Sequence, residues 1–153
     1  MSLNYLIYVS QARPALGQAD LDSILATSRS YNAKKDVSGM LLFIEGRDGK
    51  RGSFMQLLEG NAEELETLRK RIFADSRHHT KLILEKGLKS QRDFADWSMA
   101  FRSVVAGDLT GHPGFADIGT EEFQRRCETG EVHNSLAFLR DFWSSDAEGG
   151  TAA

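Results

Sequence analysis

Only one cysteine, Cys127, occurs among 153 residues. A single thiol forms no intramolecular disulfide and no cysteine-rich zinc site, so a reducing compartment is the expected setting. No apolar run approaches the ~20 residues of a membrane-spanning helix. The N-terminus lacks a charged segment followed by a long apolar stretch, so no secretory signal is visible. Basic excess is also missing: the formal net charge is -3. That balance argues against direct nucleic-acid binding. Internal repeats and long low-complexity tracts are absent too, and the length fits one domain with a small extension.

What remains is an ordinary globular composition with clear periodicity. Residues 3–10, LNYLIYVS, predict a strand. Leu6 and Tyr8 fall on one face, and Tyr5, Ile7 and Val9 on the other. A strand apolar on both sides is central and covered twice. Pro14 and Gly17 then break the chain. Residues 19–32 predict a helix with Leu21, Ile24, Leu25 and Tyr31 on one stripe, capped by Asp20. Strands follow at 37–45 and 53–59, joined through the polar loop GRDGKRGS and its Asp48-Gly49 turn signal. A second helix spans 61–74, with Asn61 and Glu64 spaced as a capping box.

Further strands are predicted at 80–88 and 94–105. The order β-α-β-β-α-β-β is the split βαβ arrangement of a ferredoxin-like, five-stranded mixed α+β sheet. Beyond Val105 a Gly-rich connection leads to helices near 120–129 and 134–144, with Thr120 and Asn134 as candidate caps. Leu136, Phe138, Leu139, Phe142 and Trp143 give the last helix an apolar face that needs cover. The free side of the sheet is the economical place for it. The expected organisation is a domain over 1–104, a helical extension over 105–145 and a disordered tail over 146–153.

Several chemistries are excluded. The 46–53 loop fails phosphate-loop spacing, and no helix follows it. His78 and His79 are adjacent and share no face, while His112 and His133 lack ligand spacing, so no metal centre is expected. No nucleophile elbow is present. The informative residues are polar side chains at core-facing positions: Tyr8, Gln56 and Asn32. A buried carboxamide or phenol needs hydrogen-bond partners. Tyr8 and Gln56 either satisfy each other in the core or serve a bound group, and periodicity does not choose between these.

The segments LIYVS around Tyr8, NAKKDVSGMLLF from Asn32, FMQLLEG from Phe54, DSRHH from Asp75 and RDFADWSMAF from Arg92 occur in this order. Together they resemble the BLUF family of blue-light sensors that use FAD, over roughly residues 3–103. The resemblance implies a flavin ring between the two helices, over the sheet. Tyr8 matches the photochemical electron donor, and Gln56 the amide linking it to flavin N5 and O4. Asn32 matches the holder of the ring's polar edge near O4 and N3. Ser10, Trp97 and Met99 match positions beside the glutamine, and Met99 is also counted as a cofactor contact. Ile24 matches an apolar contact with the ring, and Phe54 shares the face of Gln56. Arg77 and His78 match the ribityl-phosphate end.

Two departures stand out. The 46–52 hairpin loop is longer than usual in the family, and VSG replaces the more common TG after a hydrophobic residue. The resemblance further implies a non-enzymatic, cytoplasmic photoreceptor. It would form homo-oligomers and pass its signal to a separate protein. The competing expectations are a flavin-dependent or acylphosphatase-like enzyme on the same fold, and a flavin-free interaction module.

Overall fold

A computed structural model describes residues 3–14, 16–46 and 52–145. The tip of the long hairpin loop and the 146–153 tail lie outside the described residues. Five strands form one sheet: β1 (Leu3–Ala12), β2 (Ser38–Ile44), β3 (Ser53–Gly60), β4 (His78–Lys89) and β5 (Ala100–Val104). Their spatial order is β4-β1-β3-β2-β5. Neighbours run antiparallel except β2 and β5, which are parallel. The ferredoxin-like mixed sheet expected from the sequence is therefore present.

The alternation in β1 sets the two layers. Leu6 and Ala12 join a core with Leu21 and Leu25 of α1 (Gln18–Lys34) and with Leu65 and Leu68 of α2 (Ala62–Phe73). Ile7 and Val9 face the other way. They meet Phe115, Ile118, Phe123 of α3 (Glu121–Glu128) and Phe138, Leu139 and Phe142 of α4 (Ser135–Ser145). The wide apolar face of α4 is thus covered by the sheet.

Three local readings change. Gly17, not Asp20, is the N-cap of α1; Asp20 lies three residues on and accepts the Gly17 N–H at 3.0 Å. A carboxylate in the first turn still meets the helix's free N–H groups, but from inside. The last strand is shorter than 94–105. The N–H groups of Asp93 and Phe94 donate to the Glu59 carboxylate at 2.7 and 3.0 Å, and Trp97 N–H turns back to the Phe94 carbonyl. Those donors are unavailable to a ladder, so pairing starts at Ala100. Finally, Asn134 adopts φ 61° and gives its carbonyl to Phe138 N–H. The carboxylate on the first N–H of α4 comes from β4: Ser135 N–H donates to Glu85 Oε1 at 3.1 Å. Tyr5 O–H holds the other oxygen at 2.7 Å. Burial, and then this carboxylate, push the Tyr5 hydroxyl up to about 12, so it remains a donor. By contrast, Thr120 caps α3 as expected.

Gly39, in the VSG segment, is required by space. A Cβ there would stand 2.1 Å from the Leu57 carbonyl oxygen. Ser38 donates to Glu59 Oε1 at 3.0 Å and receives Arg92 Nη1 at 2.8 Å. Glu59 is 0% exposed, and the Lys89 side chain that pairs with it is 2% exposed. Lys89 also pairs with Asp93, whose other oxygen receives Arg140 of α4 at 2.8 Å. One buried carboxylate thus ties β3, β4, the 92–94 turn and β2 together.

Candidate functional site

β1 and β3 pair so that Tyr8 stands opposite Gln56. Both side chains point to the α1/α2 side and are buried. Tyr8 O–H donates to Gln56 Oε1 at 2.5 Å. The other end of the amide, Nε2, donates to Met99 Sδ at 3.5 Å. Burial, and then the Asp75 charge, hold the Tyr8 hydroxyl well above its ordinary pKa, as a neutral phenol. Its ring meets Phe73, at the end of α2, edge-on at 5.5 Å between centroids.

A cavity of about 180 Å³ opens beside this pair, between the two helices. Ile24, Thr27, Ser28 and Tyr31 line it from α1, and Leu68, Arg71 and Ile72 from α2. Tyr8, Leu41, Phe54 and Gln56 form its floor, and Asp75, Arg77 and His78 one end. Of the expected residues, Tyr8, Ile24, Phe54, Gln56, Arg77 and His78 therefore converge. Asn32 and Met99 are not among the walls. Asn32 is 0% exposed and donates from Nδ2 to the Ser98 carbonyl at 2.7 Å, while its Oδ1 is buried with no partner among the described residues. Trp97, expected beside the glutamine, packs into the opposite core, edge-on to Trp143 at 5.5 Å. Residues 97 and 99 would share a face in a regular strand, but the chain is not yet strand there, so Trp97 and Met99 end in opposite cores and Met99 takes the helix side.

Ser10 sits beside His78 instead of beside the amide. Its Oγ lies 2.7 Å from His78 Nδ1, and His78 Nε2 lies 2.6 Å from the Ile72 carbonyl. A carbonyl only accepts, so Nε2 carries the proton and Nδ1 accepts from the serine. Burial lowers the His78 pKa below its ordinary 6.5, outweighing the Ile72 bond. Neutral His78 therefore stabilises the fold above pH 6.5. This contribution is lost as pH falls below that value, because the unfolded chain takes up the proton first. Thermal melts at pH 7.5 and 5.5 should show this loss, and His78→Gln should flatten it. An equal acid-induced drop in the variant would refute the assignment.

Thr27, Ser28, Arg71 and Asp75 were not foreseen. On α1 the signal was available: Ile24, Thr27, Ser28 and Tyr31 follow i, i+3, i+4, i+7 spacing, and small hydroxyls within a buried stripe leave room. Arg71 stacks on the Tyr31 ring at 4.4 Å across the slot. Arg77 binds Asp75 with two nitrogens and reaches Ser23 Oγ at 3.2 Å. A larger cleft of about 770 Å³ lies by Gln11, Arg13, Glu45, His79 and Glu121. It contains none of the expected residues and mixes both charge signs, so the smaller slot is the better candidate. Cys127 is half-buried, and burial pushes its thiol up to about 11, which makes it a poor nucleophile at neutral pH. Among the described residues, no three His, Cys, Asp or Glu side chains cluster as for a metal ion. Nor is any helix among the described residues long and apolar enough to cross a membrane.

The slot suits a flat aromatic ring. It has aliphatic walls, polar groups on its edge, a two-ended amide at its floor and, nearby, an orphaned buried acceptor on Asn32 that matches an imide N–H. Comparisons with known proteins agree. The beta subunit of photoactivated adenylate cyclase from Euglena gracilis is 35% identical over 118 residues, or 76% of this chain. The chain spans only 13% of that subunit's length. The dark-state structure of BlrB, a BLUF protein, superposes with a TM-score of 0.68 at 27% identity, covering 94% of this chain and 96% of that one. Klebsiella pneumoniae BlrP1, solved with FMN and cyclic diGMP, gives 0.62 at 27% identity, covering 95% of this chain and 35% of that one. The family model for BLUF, sensors of blue-light using FAD, matches residues 3–100, and the chain belongs to this family.

Proposed function

We propose that the chain senses blue light through FAD seated between α1 and α2, with Tyr8 and Gln56 as the responding pair. The observation that carries this is the hydrogen bond from the Tyr8 phenol to the Gln56 amide at the floor of the slot. When bound, the flavin ring supplies blue-light absorption and an excited-state electron acceptor. Tyr8, kept neutral by burial, is placed to release an electron and, along its bond to Gln56 Oε1, a proton. Gln56 holds Tyr8 with its acceptor end and a thioether with its donor end. Sulfur is a weak acceptor, so little is lost when the amide turns or tautomerises. The change leaves altered hydrogen bonds at the ring's edge without any covalent bond to the protein.

Ile24, Leu41, Leu68 and Ile72 would sandwich the ring, and Asn32 Oδ1 would accept from its polar edge. A slot of about 180 Å³ is smaller than the ~300–1,000 Å³ that encloses a drug-sized ligand, so it takes the ring and leaves the phosphates outside. Arg77 and His78 stand at the matching end. The same reading treats residues 1–104 as the sensor and 105–145 as the relay to a separate cytoplasmic protein, from a homo-oligomer. The single thiol supports the reducing setting; the oligomer and the relay rest on the family resemblance. Absorption spectra of the purified protein before and after blue illumination provide the test. A reversible red shift of the flavin band is expected; a preparation that stays colourless after FAD addition favours the flavin-free module instead.

A further inference from the structure

Arg29 stands one turn before Asn32 on α1. It crosses to the segment before β5, where Nε donates to the Met99 carbonyl at 3.1 Å. Asn32 takes the preceding carbonyl, that of Ser98. Two successive carbonyls are therefore held from one helix face. Beyond them β5 has a single neighbour, β2. Met99 itself is 0% exposed, and its sulfur is the acceptor for Gln56 Nε2. The terminal Nη2 of Arg29 is buried with no hydrogen-bond partner among the described residues. An orphaned guanidinium nitrogen is costly, and a group used only to anchor a loop would be better served by a neutral donor.

We propose that Arg29 is a positioning residue of the photocycle, which fixes the Met99 backbone so that its sulfur is in place when the Gln56 amide returns. The assignment rests on the photoreceptor reading above. Arginine suits the role because its planar fork is rigid and always charged. Tyr8 and Gln56 do not depend on Arg29 for their own bond, so formation of the lit state is untouched. Return to the dark state requires Gln56 Nε2 to find its acceptor again. A pre-placed acceptor makes that step fast, and a wandering one makes it slow.

The test uses the flavin-loaded full chain as Arg29→Ala and Arg29→Lys. Both variants should keep the full red shift on illumination. Dark recovery should slow about tenfold in Arg29→Ala, the effect of one lost charged hydrogen bond. Arg29→Lys, which restores a charged donor but not the rigid fork, should regain part of the rate. Recovery within twofold of the parent in Arg29→Ala, whether or not the melting temperature falls, makes Arg29 a plain structural anchor and overturns the proposal. If Arg29→Ala fails to fold, Arg29→Gln replaces it and must slow recovery more than twofold. A parent protein that binds flavin but shows no red shift overturns the photoreceptor reading, and this assignment with it.

Discussion

Replacing Gln56 by leucine in the flavin-loaded protein abolishes the light-induced red shift. Leucine keeps the size and burial of the side chain but removes both polar ends. The phenol of Tyr8 then loses its 2.5 Å acceptor, and Met99 Sδ loses its donor. No group remains whose hydrogen bonds can be exchanged at the ring's edge. Tyr8→Phe acts at the other end of the same contact: the amide survives, but the phenolic electron and proton donor is gone. Both variants should still turn yellow, because the slot walls on α1 and α2 are untouched. The fold should survive as well, although each variant orphans one buried partner, the Tyr8 hydroxyl or the Gln56 carbonyl end, at about 1–3 kcal/mol for the group left behind. The measurement is a light-minus-dark difference spectrum. A shift of parental size in Gln56→Leu would eliminate the amide switch outright.

The largest effect on stability is expected at Glu59. Its carboxylate receives Ser38, the N–H groups of Asp93 and Phe94, and Lys89. Glu59→Ala leaves the Lys89 ammonium buried with Asp93 alone and two backbone donors without acceptors. Breaking a buried ion pair from one side costs about 3–5 kcal/mol, against a total stability of about 5–15 kcal/mol for a domain. Urea titration should show a large drop in midpoint. Glu59→Gln, which keeps one acceptor oxygen but turns the other into a donor and loses the charge, should fall between the parent and Glu59→Ala. A loss below about 1 kcal/mol in Glu59→Ala would mean that water or Asp93 compensates the lysine, and that the network does not hold the 92–94 turn.

Much of this arrangement is legible in the sequence. The two-faced bulk of β1 predicted a central strand, and β4 and β3 do flank it. Tyr8 and Gln56 were visible as polar residues on core-facing positions, though periodicity left their purpose open. What escaped has a common cause. Arg71 and Asp75 were not singled out as slot residues, because a cavity between two helices leaves no period of its own. Asp20 resembled a cap, but local spacing does not separate the cap from the third helical residue. The run WSMAF looks like strand, and only the distant Glu59 carboxylate shows why its start is a turn. Capping of α4 by Glu85 joins residues 50 apart. Long-range pairings of this kind are fixed by topology, not by neighbours in the chain.

The edge-on pairing of Trp97 with Trp143 has a practical consequence. These are the only indoles in the protein, and one precedes β5 while the other belongs to α4. Ultraviolet-excited emission therefore comes from a single spot at the junction of sheet and terminal helix. Quenching or a spectral change there on illumination reports movement of that helix, with no dye attached.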